Sequence, residues 1–148
     1  MKKTIWIGSD HAGVDLKNTI KNELKQEYDV QDVGPLDKTS VDYPDFGEKV
    51  AMQVANHPNA EGILICGSGI GMSITANKVP GIRAALVHSV ETATLARQHN
   101  NANILCLGAR IVSEELAVSM VKTWLTTTFE GDRHQKRIDK ISNLDKRR

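Results

Sequence analysis

The chain has 148 residues, 40% of them hydrophobic and 25% charged, which suits one soluble domain of ordinary size and excludes a disordered or fibrous chain. Nineteen basic residues stand against 18 acidic ones, and aromatics make up only 4%, so neither the basic excess nor the stacking platforms of a nucleic-acid binder are present. The two cysteines, Cys66 and Cys106, cannot form the multi-bridge framework of a small secreted domain and fit a reducing cytoplasm.

Taken in chain order, the start MKKTIWIGSD carries an apolar run that breaks at Gly8-Ser9-Asp10, too short for a signal peptide, and no stretch reaches the length of a membrane span. Thr4 to Ile7 reads as a strand, and Leu16, Ile20 and Leu24 mark one face of the helix that follows. The order repeats. Val30 to Val33 precedes Phe46, Val50 and Val54 at helical spacing; Gly62 to Cys66 precedes a helix over 70–78; Ile82 to Val87 precedes one over 90–99; Asn103 to Leu107 precedes one over 114–126.

Strand runs that are apolar at every position, without alternation, belong to a parallel sheet covered on both faces. The pattern therefore predicts a doubly wound α/β domain, a Rossmann-like three-layer sandwich of five parallel strands in the order 2-1-3-4-5. Beyond Gly131 a charged tail with Ile138, Ile141 and Leu144 on one side predicts a projecting helix over 132–148, an extension of the same domain, ending in the basic Lys146-Arg147-Arg148.

Ligands of such sheets lie beyond the carboxyl ends of the strands, where the order reverses. That rule selects Ser9, Asp10 and His11 after strand one, Cys66 to Gly71 after strand three, and Gly108 and Arg110 after strand five. Gly67-Ser68-Gly69-Ile70-Gly71 can turn bare amides toward an anionic oxygen, though its glycine spacing is not the dinucleotide fingerprint. Gly8 to Gly13 has the spacing of a P-loop but continues with Val14 where lysine is required.

Cys66 ends a strand at the start of a helix, where a thiol can act as a base, while burial of an inert thiol is the commoner fate of cysteine; Cys106, between Leu105 and Leu107, reads as core. His11, His57, His99 and His134 taken singly are more often structural or solvated than reactive. His99 ends the helix after strand four, so it falls on the side opposite its own chain's cleft and would serve a neighbouring subunit's site if it serves one. Arg133 and Arg137, four apart, share a helix face on which two guanidinium forks suit a phosphate, the alternative being a solvated basic face.

Ser9-Asp10-His11-Ala12-Gly13, Asp42-Tyr43-Pro44, Cys66 to Gly71, Ala76-Asn77-Lys78, Arg97-Gln98-His99-Asn100 and Gly131-Asp132-Arg133-His134 together resemble type B ribose-5-phosphate isomerase, in order and over practically the whole chain. The resemblance implies interconversion of ribose 5-phosphate and ribulose 5-phosphate without metal or organic cofactor, by a cytoplasmic enzyme of the pentose phosphate pathway. It implies Cys66 as the base, Ser68 acting beside it, and His99 opening the sugar ring. Asp10, Gly67, Gly69, Ile70 and Gly71 would hold the C1 and C2 oxygens, and Asn100 would orient sugar oxygens. His11, Arg110, Arg133 and Arg137 would grip phosphate, with Tyr43 near the site.

Relatives that use glutamate as base carry it where this chain has Met72, which cannot accept a proton. The resemblance further implies a homodimer with shared active sites, or a tetramer of such dimers, binding a phosphorylated pentose and neither nucleic acid nor membrane. The alternatives are an isomerase of a six-carbon phosphosugar, allose 6-phosphate or galactose 6-phosphate, and a flavodoxin-like domain that holds a nucleotide without catalysis.

Overall fold

A computed structural model describes residues 1–147; Arg148, the last residue of the basic tail, lies outside the described residues. Among the described residues five strands and six α-helices follow one another along the chain: β1 Thr4–Ser9, α1 Val14–Leu24, β2 Asp29–Asp32, α2 Tyr43–Asn56, β3 Glu61–Cys66, α3 Ile70–Ala76, β4 Ala84–Leu86, α4 Val90–Gln98, β5 Ile104–Gly108, α5 Glu114–Thr126 and α6 Arg133–Leu144. The strands form one parallel sheet. Among the described residues, no helix is long and apolar enough to cross a membrane.

Alternation of side chains across the sheet builds two cores. Ile5, Ile7, Ile63, Ile65, Leu105 and Leu107 point to one face, where Leu16 and Ile20 of α1, Ala93 of α4 and Trp124 of α5 close over them. Leu64, Cys66, Ile104 and Cys106 point to the other, against Val50 and Val54 of α2 and Met72 of α3. Helices on both faces explain why the strands read as continuous apolar runs. The helix starts follow local chemistry: Ser89 and Thr92 form a reciprocal cap at α4, the Ser113 hydroxyl accepts from the Leu116 amide at α5, and Pro44 occupies the first turn of α2.

The strand order is β2-β1-β3-β5-β4, which corrects the expected 2-1-3-4-5 at its far end. A strand between two others must be covered on both faces. Ile104 to Gly108 is buried at every residue, whereas Ala84 to Leu86 is only half-buried, so β5 takes the inner place and the three-residue β4 the edge. The exchange has a direct effect on the site, because Cys66 is now in register with Gly108, and the chain leaving β5 runs beside the loop leaving β3.

The β2 end is anchored by buried charge. Lys17 is fully buried, and its ammonium donates to Asp32 Oδ1 and Oδ2 at 2.8 and 2.9 Å and to the Pro35 carbonyl at 2.6 Å. Lys21 donates to Oδ2 and the Gly34 N–H to Oδ1, each at 2.8 Å. Burial pushes the Asp32 carboxyl up, but the bonds from Lys17, Lys21 and the Gly34 amide outweigh it and hold the group below its ordinary 3.8. A lowered folded-state value means stability that is present above 3.8 and lost as pH falls through that lower value. Asp32→Asn should therefore unfold at lower denaturant than the parent at neutral pH, with the gap closing in acid below pH 3.8; a gap that stays constant in acid would show that the Asp32 charge does not carry it.

The tail is helical, as α6, but its apolar stripe is covered only in part. His134 and Ile138 are buried, while Ile141 and Leu144 remain 45% and 51% exposed. Its far end is tied back where the Gly81 N–H donates to Asp145 Oδ2 at 2.8 Å.

Candidate active site

Three loops meet at the carboxyl ends of β1, β3 and β5. Asp10 is tied to β3 by its N–H, which donates to the Ile65 carbonyl at 3.0 Å. Its carboxylate accepts from the Ala12 N–H at 2.9 Å, which starts the short 3-10 turn His11–Gly13. His11 Nδ1 accepts from the Val41 N–H at 3.2 Å, so in the neutral ring the proton sits on Nε2, free to donate outward. Arg110 is joined from the β5 side, where its N–H donates to the Gly67 carbonyl at 3.0 Å, and its exposed side chain lies along Gly67.

Cys66 ends β3, 5% exposed, and its Sγ accepts from the Gly69 N–H at 3.2 Å. The Ser68 hydroxyl oxygen accepts from the Ile70 N–H at 3.1 Å. Gly71 occupies the second position of α3, so its N–H precedes the first amide with an acceptor inside the helix, Ser73 N–H to the Gly69 carbonyl. The loop thus sets one backbone donor, the Gly69 N–H, on the sulfur and leaves the Gly71 N–H without an acceptor inside the helix, an arrangement suited to a negative charge developing on a nearby oxygen.

Two glycines are required by shape. Gly69 has a φ of +80°, and a Cβ there would lie 2.9 and 3.0 Å from the carbonyl carbon and oxygen of Leu107. A Cβ on Gly71 would fall 2.4 Å from the Tyr43 ring, which places Tyr43, at the start of α2, directly against the loop. Gly69→Ala combines a left-handed backbone with a backbone clash, a cost of at least roughly 1–2 kcal/mol. It should lower the thermal midpoint and displace the amide that faces Cys66, with activity falling by about tenfold or more. Parental activity in that variant would mean that the loop geometry is not required.

His99, Asn100, Arg133 and Arg137 lie elsewhere. His99 caps the end of α4. Two residues earlier, Arg97 reaches Glu61, the first residue of β3, and donates to the Ala102 carbonyl ahead of β5 at 2.8 Å. His99 therefore sits at the amino-terminal edge of the sheet, while Cys66 is at the carboxyl edge of β3, a strand length of roughly 16 Å away. The His99 ring stacks on His134 of α6 with centroids 4.3 Å apart, and Arg133 and Arg137 are exposed on α6. Asn100 is exposed in the turn after α4. The residues selected from the sequence thus form two groups at opposite edges of one chain: Asp10, His11, Tyr43, Cys66, Gly67, Ser68, Gly69, Ile70, Gly71 and Arg110 in one, and His99, Asn100, Arg133 and Arg137 in the other.

Glu130 carries no signal in the sequence, and His134 reads there as structural or solvated. Both flank the His99 ring, with Glu130 Oε1 3.8 Å from His99 Nε2 and 3.4 Å from His134 Nε2. Their spacing of four residues is a weak sign, because Gly131 and Asp132 between them have positive φ and interrupt any helix. Cys106 is fully buried, and burial, then the neighbouring Cys66, pushes its thiol far up, which suits a core residue.

Comparison with known proteins bears on this arrangement directly. Residues 5–141 match the Ribose/Galactose Isomerase family. The chain is 48% identical over 149 residues to a probable ribose-5-phosphate isomerase B of Mycoplasma genitalium, covering 99% of this chain and 98% of that one. The crystal structure of ribose-5-phosphate isomerase B from the same organism with bound ribulose 5-phosphate superimposes with a TM-score of 0.96 at 48% identity, over 100% of this chain and 99% of that one. Ribose-5-phosphate isomerase B of Clostridium thermocellum gives a TM-score of 0.95 at 50% identity, over 97% and 98% of the two chains. With the match spanning the sheet, both residue groups and most of α6, this chain belongs to the ribose/galactose isomerase family, in its ribose-5-phosphate isomerase B branch.

Proposed function

We propose that the chain interconverts ribose 5-phosphate and ribulose 5-phosphate, with Cys66 moving the proton between C2 and C1. The observation that carries this reading is the sulfur at the end of β3, held by the Gly69 amide among the donors of the Gly67 to Gly71 loop. In the linear sugar the Cys66 thiolate takes the C2 proton while the C1 carbonyl oxygen gathers charge against those donors. The O2 hydroxyl proton passes to O1, the thiol returns its proton to C1, and the ketose results. Asp10 and the loop amides hold the two oxygens, and Ser68 and Tyr43 line the approach.

Phosphate is gripped remotely by guanidinium groups and by His11 Nε2–H, so that binding energy orients the reacting carbons. Ring opening falls to His99, which moves a proton from the O1 hydroxyl to the ring oxygen as the C1 bond to that oxygen breaks. The separation of the two residue groups to opposite edges of one chain supports a site shared by two copies, one giving Cys66 and its loop and its partner giving His99, Asn100, Arg133 and Arg137. The exposed apolar side chains of Ile70 and Ile74 on α3, and of Ile141 and Leu144 on α6, are surface suited to such an association.

Mixing Cys66→Ala and His99→Asn chains tests the arrangement. Each homodimer lacks a needed group at both sites, whereas a hybrid has one site with both groups intact, so random exchange should restore about a quarter of the parental sites. No recovery after confirmed subunit exchange would refute sharing. His99→Asn alone should lose most activity on the cyclic sugar and much less on a substrate that is already linear; equal losses would remove ring opening from His99.

A further inference from the structure

The His99 and His134 imidazoles lie face to face, their planes 13° apart and their centroids 4.3 Å apart, and the Glu130 carboxylate stands beside both. Glu130 Oε1 is 3.8 Å from His99 Nε2 and 3.4 Å from His134 Nε2, beyond the usual range of an N–H···O bond yet near enough for its charge to act on either ring. The backbone fixes this arrangement. The Glu130 N–H donates to the Gln98 carbonyl at 3.1 Å, which holds the residue beside the end of α4. Gly131 and Asp132, with φ of +72° and +47°, then turn the chain into α6, and the His134 N–H donates back to the Gly131 carbonyl at 2.9 Å. The His134 side chain is 9% exposed and that of His99 37%, so a buried ring backs one that can be reached from outside.

We propose that Glu130 and His134 are positioning residues for opening of the sugar ring, both acting through His99, Glu130 by its charge and His134 by its flat face. The inference rests on the ring-opening role given to His99 above. In that step neutral His99 takes the O1 proton, the electron pair left on O1 closes the C1 carbonyl, the C1 bond to the ring oxygen breaks, and the ring oxygen takes the proton from His99. Between the two transfers His99 is an imidazolium. A carboxylate 3.8 Å away offsets that charge without engaging Nε2 in a hydrogen bond, so the proton can be taken up and released. The His134 plane, packed flat on His99, keeps the ring from rotating out of place. A carboxylate just ahead of α6 could instead serve only the positive end of that helix, so the test must separate ring opening from general integrity.

Ribulose 5-phosphate gives that separation. Its C5 oxygen is esterified, so it cannot close a five-membered ring, and exchange of its C1 proton in D₂O reports the Cys66 step alone, whereas conversion of ribose 5-phosphate includes ring opening. In the full-length protein Glu130→Gln, which keeps the shape and removes the charge, should slow conversion of ribose 5-phosphate about fivefold or more, the worth of a unit charge pair ~4 Å apart in water, and leave C1 exchange near the parental rate. Glu130→Asp, which keeps the charge, should lie closer to the parent than the glutamine variant. His134→Phe, which keeps a flat ring, should convert ribose 5-phosphate faster than His134→Ala. In a His99→Asn background Glu130→Gln should add no further loss, because its effect passes through His99.

Equal slowing of both rates by Glu130→Gln, a further loss in the His99→Asn background, or a glutamine variant faster than the aspartate one would overturn the role of Glu130. Phenylalanine no better than alanine at position 134 would overturn that of the stack. The His99 reading fails by a different result: if His99→Asn slows conversion and C1 exchange alike, ring opening is not its work and this inference falls with it. If His99→Asn separates the two rates and Glu130→Gln does not, this inference alone falls.

Discussion

Cys66→Ala should lower kcat by about 10²–10⁴-fold, the range a positioned general base contributes, while affinity for the phosphosugar changes little. The reason lies in how the work is divided. In the proposed mechanism phosphate contacts come from His11 and the arginines, and the oxygen contacts from backbone amides and Asp10, so removing the sulfur should leave the binding groups in place. Alanine keeps the extended backbone of β3, and the Gly69 amide that donates to Sγ is left to water. Steady-state turnover together with calorimetric binding of ribose 5-phosphate checks both halves. The control is Cys106→Ala. That thiol is sealed in the sheet and pushed far up by burial, so its loss should reduce stability and spare turnover. Parental kcat in Cys66→Ala would remove the thiol from the mechanism; equal loss of binding and turnover would make it a structural residue.

Arg97→Ala should cost about 3–5 kcal/mol of stability, the range for breaking a buried ion pair by removing one partner. Arg97 is 8% exposed and reaches the Glu61 carboxylate, which is itself buried. It also donates to the Ala102 carbonyl at 2.8 Å and to Asn101 Oδ1 at 3.2 Å, and its guanidinium lies 4.8 Å from the Trp124 ring centroid. Alanine there leaves Glu61 in the interior with, among the described residues, the Lys3 ammonium at 2.8 Å as its ion-pair partner, whose own side chain is 42% exposed. The same guanidinium ties the end of α4 to the sheet, so activity on cyclic sugar should fall along with stability as His99 loses its mooring. Denaturant unfolding at constant m-value measures the change. A loss under about 1 kcal/mol would mean that solvent enters and satisfies Glu61.

Sequence periodicity was sufficient to read the strands and the helix after each, because the inner strands β3 and β5 are buried on both faces and each helix carries its stripe at a spacing of three or four. It was insufficient for the order of the last two strands. Ile82 to Val87 and Asn103 to Leu107 each read as an apolar run with one polar residue; what separates them is how many residues pair, and β4 has only three. The loop at Cys66 could be found from the strand-end rule alone, yet the adjacency of Arg110 to Gly67 depends on β5 pairing with β3. Roles were another matter. Nothing in the composition distinguishes Cys66 from a buried core thiol, and the family resemblance supplied that assignment. The partnership of Glu130 with His99 was illegible because it joins a loop to a helix end 31 residues away in sequence, through a turn made by positive φ at Gly131 and Asp132.

The central claim is that the Cys66 sulfur carries the proton between C2 and C1. Proton NMR of the sugar during isomerisation in D₂O addresses it at the reacting carbons, since a proton held on a thiol exchanges with solvent before it is returned. The parent should place deuterium at C1 of ribulose 5-phosphate and at C2 of the ribose 5-phosphate pool, and Cys66→Ala should do neither at a measurable rate. Deuterium entering both positions at the parental rate in Cys66→Ala would contradict the account.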